Sequence, residues 1–433
     1  MGLKTVIKNA VFTDCNGSRA GDLFIDGSVI SAPFSDPHRV IDARGLHIFP
    51  GFADVHVHFR EPGFSYKETI ASGSAAAAAG GYTDVCTMPN LDPVPDCPEA
   101  MAVQQDIIRR DAVIRVHPYA SITKGEKGEE LVPMEALCRS AVAFSDDGRG
   151  IQNAGIMLEA MERASALGKI IAAHCEDNSL IKNGCINQGE YSRIHGLPGI
   201  PAKSEWGPIE RDIELCRRTG AAYHICHVSK KESLEAVRRA KEEGLDVTCE
   251  SAPHYIAFCD GDMEDDGRFK MNPPLGSAMD REALINAIAD GTVDMIATDH
   301  APHSLQEKSM GLKGSLMGVV GLETAFPAVY TYLVKTGRIS LYRAVELFSL
   351  APRRRFGVGG SLEEGHSADF TLYDLEESYT VDPESFLTCG RATPFAGKKL
   401  YGRCAATFME GRPVWRRRGF EAREEKTHEK QYS

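Results

Sequence analysis

The sequence predicts an α/β chain whose main body is a closed (β/α)8, or TIM, barrel, accompanied by a small β-sandwich domain built from both chain termini. Three observations carry this prediction. Short β-rich runs alternate with helical patterns through the middle of the 433-residue chain. The runs number eight, enough to close a parallel barrel. Both chain ends instead alternate apolar and polar residues between Gly and Asp turns, the pattern of antiparallel strands.

In order, the strands are expected over 52–57, 82–88, 112–119, 141–144, 169–174, 222–228, 246–251 and 293–298. Helical patterns over 66–79, 99–110, 152–167, 204–219, 231–243 and 280–289 lie between them, and 322–333 follows the last strand. A doubly wound open sheet is the rival fold, but no Gly-x-Gly-x-x-Gly or Walker loop follows the early strands. Residues 51–355 are therefore assigned to the barrel, with 1–50 and 356–415 forming the composite β domain. The segment 416–433 is dense in charge and poor in apolar residues, and is expected to be a mobile tail.

A net charge of -12 and a pI near 5.7 oppose a surface that tracks phosphates, so nucleic acid is not the expected partner and a small molecule is. The first 30 residues lack the order of a signal peptide, and the longest run of alanines, 75–79, is too short to span a bilayer. A soluble, cytoplasmic protein without membrane association is expected. The 12 cysteines have irregular spacing and form no Cys-x-x-Cys pair, which favours reduced thiols over a disulfide framework.

His56 and His58 flank Val57 at the end of the first strand. A spacing of two in a strand puts both imidazoles on one face, able to share a metal. Asp147 follows the fourth strand, His174 ends the fifth, His227 ends the sixth and Asp299 follows the eighth, all at the same level of the barrel. Four His and two Asp suit zinc with a water activated on the metal. His224, Cys226, Cys175 and His300 are assigned to packing. His117 and His254 are at most partners of the ligands.

The segments Asp54-Val55-His56-Val57-His58-Phe59-Arg60-Glu61-Pro62-Gly63 and Ala297-Thr298-Asp299-His300-Ala301-Pro302-His303, followed by Lys308, make the chain resemble the class I dihydroorotases of the amidohydrolase superfamily. The likeness continues through Thr87-Met88-Pro89-Asn90, Phe144-Ser145-Asp146-Asp147-Gly148, Ala173-His174-Cys175-Glu176, His227-Val228-Ser229 and Met271-Asn272-Pro273-Pro274-Leu275, and so covers about 50–330.

The resemblance implies one or two Zn(2+) per subunit, with His56 and His58 on one ion, His174 and His227 on the other, and Asp147 at the bridging position. Related hydantoinases and allantoinases carry a carboxylated lysine there. Asp147 is preferred to Asp146 because its 27-residue separation from His174 matches the family. Asp299 would both bind metal and shuttle the proton. Arg60, Asn90 and His303 would clamp the substrate's α-carboxylate, with Asn272 near the ring amides. The implied reaction is the reversible closure of N-carbamoyl-L-aspartate to L-dihydroorotate and water, the third step of pyrimidine synthesis. A homodimer, and association with aspartate transcarbamoylase, are implied as well. Two positions depart from the family: Gly276 stands where arginine is usual, and Ser315-Leu316-Met317-Gly318-Val319 where Pro-Phe-Gly is usual, which bears on loop closure and affinity.

Overall fold

The computed structural model describes residues 2–14, 17–358 and 361–426. The first barrel strand, Phe52–Val57, is buried at every residue, as a strand covered on both faces must be. Tyr82–Thr87 pairs parallel to it and Arg115–Pro118 parallel to that. Ile171–Ala173, Tyr223–Ile225, Val247–Ser251 and Met295–Ile296 form a second parallel group. Parallel bridges join the two groups into a ring: Ala120 to Phe144 and Phe144 to Ile171 on one side, Val57 to His300 on the other.

The strand expected over 141–144 is therefore one bridging residue. The chain leaves the ring at once because the Asp146 carboxylate accepts from Ile122 N and Thr123 N at 2.7 and 3.0 Å, pulling the segment into a turn. The first barrel helix, Ile70–Ala79, starts later than 66 because Thr69 caps it, its hydroxyl accepting from Ser72 N at 3.0 Å. Helices Pro98–Asp111, Ala154–Ala166, Lys203–Thr219, Lys231–Glu242 and Ala278–Asp290 fill the other expected stretches. The last, Ala325–Val329, widens into a π-turn over Tyr330–Val334.

Helix Ala351–Phe356 closes the N-terminal end of the barrel. Arg353 donates to Gly51 O and, at 2.9 Å, to Thr83 Oγ1, while Arg355 donates to Tyr223 O at 3.0 Å. Phe356 packs edge-on against Tyr119 and His224. The opposite, C-terminal face is where the side chains of interest emerge.

Strands from both chain ends form one nine-stranded mixed sheet, with Lys4–Asp14 near its middle. Gly17–Asp26 pairs with it antiparallel, but Arg39–Asp42 and His47–Pro50 pair with it parallel along successive parts of its length. A register shift between Ile7 and Ala10, with Asn9 at φ 62°, accompanies this change of neighbour. The small β domain expected from both chain ends is thus built from one continuous sheet that divides along Lys4–Asp14. It has an apolar core of its own, including Ile25, Ile41, Phe370 and Phe408, and meets the barrel through Phe49, Phe52, Phe326 and Tyr373.

The charged tail is not wholly mobile as expected. Phe420 is buried, Glu424–Lys426 pairs antiparallel with Arg39–Asp42, and Arg39 meets Glu424 at 2.5 Å. Residues 427–433 of that expectation lie outside the described residues. Among the described residues no helix is long and apolar enough to cross a membrane, and the described cysteines are free thiols.

Candidate metal centre

The barrel's C-terminal ends bring all six expected ligands to one buried point. Asp147 stands at its centre. Its Oδ1 lies 3.4 Å from His56 Nε2, 3.6 Å from His174 Nδ1 and 3.5 Å from His227 Nε2, while Oδ2 lies 3.4 Å from His58 Nε2. Asp299 Oδ1 lies 3.1 Å from His58 Nε2 and 3.6 Å from His56 Nε2. Asp147 therefore sits between the two histidine pairs, and Asp146 faces away into its own turn.

These groups fit a divalent cation. His56 Nε2 and Asp147 Oδ1 are fully buried and have no hydrogen-bond partner, a costly state unless another species satisfies them. The spacings of 3.1–3.6 Å also match the edges of a ligand shell, since tetrahedral bonds of about 2.0–2.1 Å give edges of about 3.3–3.4 Å. Two sets, His56 with His58 and Asp299, and His56 with Asp147 and His227, each bring three ligand atoms within 4.8 Å of one another.

Partners outside the ligand set fix which nitrogen faces the centre. His56 Nδ1 meets Glu250 Oε1 at 2.7 Å, and His58 Nδ1 meets Asn90 Oδ1 at 2.9 Å, so in each ring Nε2 is turned inward. His174 is held the other way round, its Nε2 lying 3.4 Å from Glu176 Oε2. His224, assigned to packing, holds Glu250 from behind at 3.1 Å, and His300 contacts Glu68 at 3.3 Å. Cys226, expected to point away, shares a close cluster with His56 and Glu250. His117 pairs with Asp84 at 3.1 Å. His254 is buried, and burial pulls its pKa down to about 4.

Sequence reasoning missed Asp54, Glu176 and Glu250 as supports. The buried Asp54 carboxylate accepts from His56 N at 3.0 Å and from Thr298 N at 3.1 Å, tying the first strand end to the last. Burial pushes its pKa up to about 7 against the pull of those donors. Arg60, His227 and Asp299 have positive φ values of 59°, 37° and 46°. Such backbone costs about 1–3 kcal/mol per residue and persists only where its surroundings impose it.

A cavity of about 370 Å³ opens above the centre, lined by His58, Arg60, Asn90, Asp147, His174, Glu176, His227, Asn272, Asp299, His303 and Met317 among others. Of the expected site residues only His56 lies beneath rather than along it. Arg60 Nε donates to Pro302 O at 3.3 Å, fixing the guanidinium at the wall. Asn272 donates to Glu176 Oε1 at 3.0 Å. The expected clamp residue His303 lines the cavity, but its Nε2 donates to Met317 O at 2.8 Å and its Nδ1 accepts from Lys67 at 3.3 Å. Burial, with Arg60 and Lys67 close by, lowers its pKa to about 3, so at neutral pH it is an uncharged tie on the 304–319 loop.

A family model described as dihydro-orotase-like matches residues 45–233. A dihydroorotase of Bacillus subtilis (strain 168) is 48% identical over 415 residues, which covers 94% of this chain and 97% of the relative. One from Ligilactobacillus salivarius is 45% identical, covering 96% of this chain and 99% of its own. Among solved structures, the L-hydantoinase (dihydropyrimidinase) from Arthrobacter aurescens superposes with a TM-score of 0.86 at 25% identity over 96% of each chain. Dihydropyrimidinase from Brevibacillus agri gives 0.84 at 21% identity over 95% of each chain, a likeness of fold alone. The chain belongs to the dihydroorotase family of cyclic amidohydrolases.

Proposed function

We propose that this protein is a zinc-dependent dihydroorotase that interconverts N-carbamoyl-L-aspartate with L-dihydroorotate and water. The carrying observation is Arg60, a buried cation on the wall of the cavity that also exposes Asp147, Asp299 and the histidines. A cation there suits a substrate whose carboxylate lies outside the reacting ring, and a guanidinium grips a carboxylate through paired, charge-assisted hydrogen bonds. Asn90 and His303 line the same cavity at the carboxylate end, where His303 would reach the substrate by exchanging its Met317 bond for one to the carboxylate, and Asn272 faces the ring amides.

His56, His58, His174, His227, Asp147 and Asp299 would hold one or two zinc ions, which when bound polarise the ring carbonyl and activate water for attack. Asp299 accepts the proton from the attacking water and delivers it to the ring nitrogen as the amide bond breaks. In the direction of synthesis, Asp299 takes the proton from the carbamoyl nitrogen as that nitrogen attacks the side-chain carboxylate. It then passes the proton to the carboxylate oxygen as the C–O bond breaks, and a proton from solvent completes the departing water. Burial works against ionisation of Asp299, but His58, His56 and His227 hold its pKa down at about 2, so it stands ionised at neutral pH with an oxygen open to a proton. Asp54, Glu176 and Glu250 keep the ligands oriented so that little reorganisation accompanies each turnover. A homodimer in the cytoplasm, able to associate with aspartate transcarbamoylase, belongs to the same reading.

The test is a comparison of initial rates on L-dihydroorotate and on an uncharged hydantoin. Dihydroorotate is the faster substrate in this reading. A hydantoin opened faster would assign the protein to a different cyclic ureide.

A further inference from the structure

Lys230 carries an amino group with almost no access to water, the residue being 2% exposed. Burial lowers its pKa while Glu205, Asp280 and Asp260 draw it up again. Its Nζ donates to Asn187 Oδ1 at 3.0 Å and to Pro274 O at 3.4 Å. Neighbouring carbonyls of the same loop are held in the same manner: Tyr255 Oη donates to Pro273 O at 2.6 Å, and Asp260 N to Gly276 O at 2.7 Å. At the front of this loop Asn272 donates to Glu176 Oε1 and reaches His174 Nε2 at 3.4 Å.

Room for the ammonium exists because residue 276 is glycine. A Cβ at 276 would fall 3.0 Å from Lys230 Nζ and 2.9 Å from Asp280 Oδ2. A long side chain at 276 and the lysine at 230 would compete for one space. The absence of the arginine expected at 276 and the presence of a buried lysine at 230 are thus two sides of one arrangement.

We infer that Lys230 is a positioning residue for the reaction: it holds the 272–276 loop from beneath, with a cation seated in the space that Gly276 leaves open, so that Asn272 is presented to Glu176 and to the substrate ring. A buried cation directed at a carbonyl is a directional tie, here the longer of the two contacts that the ammonium makes. The loop it ties carries none of the metal ligands, so its loss acts on substrate capture before chemistry. The inference rests on the proposed reaction for its substrate, and on the contacts above for the loop.

The experiment compares Lys230→Met, which keeps the apolar stem and removes the charge, with the double variant Lys230→Met/Gly276→Arg, which returns a cation to the same space from the loop side. On L-dihydroorotate, KM of the single variant rises about tenfold while kcat stays within about twofold, and the double variant recovers most of the lost KM. Backbone amide exchange accelerates over 271–277 in the single variant and not in the barrel strands. An unchanged KM and unchanged exchange in Lys230→Met would overturn the inference. So would faster exchange throughout the barrel, or a double variant no better than the single one. Unsubstituted, metal-replete protein that leaves dihydroorotate untouched would instead overturn the proposed reaction, and the exchange comparison would still decide the role of Lys230.

Discussion

Glu250 accepts a hydrogen bond from His56 Nδ1 at 2.7 Å, and neither side chain is exposed to solvent. The carboxylate fixes the imidazole tautomer and raises the basicity of the nitrogen that faces Asp147. Glu250→Gln keeps an acceptor and removes the charge, so it is expected to weaken metal binding by about 10- to 100-fold while the barrel stays folded. Competition with a chromogenic chelator measures this, and unchanged affinity would contradict the role.

Asp299 combines a strained backbone, φ 46°, with a place between the histidines and the cavity. Asp299→Ala is expected to lower kcat by at least about 10³-fold, in the upper range for loss of a positioned acid–base group. The melting temperature and metal content are recorded on the same sample. A variant with near wild-type turnover would remove Asp299 from the mechanism.

Arg60→Ala is expected to act mainly through KM, raising it about 10- to 100-fold, as the loss of about 1.5–3 kcal/mol of charge-assisted hydrogen bonding implies. Arg60→Lys restores little of this, because an ammonium cannot make the paired contact. If neither substitution changed KM, the substrate carboxylate would have to be held elsewhere.

Glu323 supplies a pH dependence away from the metal. Its carboxylate accepts from Leu387 N and Thr388 N at 2.9 and 3.2 Å, yet burial pushes its pKa up to about 7 from 4.5. The native state therefore holds a proton that the unfolded chain has lost, and stability falls as pH rises from about 4.5 through 7. Glu323→Gln, which keeps the acceptor, is expected to flatten this slope and to gain on the order of 1–2 kcal/mol over the unsubstituted protein at pH 8. Denaturant melts at pH 5 and pH 8 decide it: an identical difference at both values would show that Glu323 does not titrate in this window.

The strands with long buried apolar runs and the helices with regular periodicity were legible in the sequence, and Phe52–Val57 matches residue for residue. The clustering of the six candidate ligands was legible because strand ends convert sequence position into a common level in the barrel. Asp54, Glu176 and Glu250 were not, because each acts on a histidine whose partner is decided only when the ring closes; Glu250 lies 194 residues from His56. The fourth strand shrank to Phe144 because a side chain two residues on, Asp146, recaptures the backbone. The outer part of the tail looked unstructured by composition, yet Glu424–Lys426 finds an open strand edge at Arg39–Asp42, which no local pattern reveals. His303 was read from its motif as a clamp and lines the cavity, but its hydrogen bonds to Met317 and Lys67 had no signal in the sequence.

The central claim is that the buried cluster around Asp147 is a metal centre that opens L-dihydroorotate. It is tested most directly by following turnover of L-dihydroorotate before chelation, after chelation and after zinc is restored, with metal content determined on each sample. The account predicts activity that disappears with the metal and returns with about one or two zinc ions per chain. Activity that survives removal of the metal, or metal-replete protein with no turnover, would contradict it.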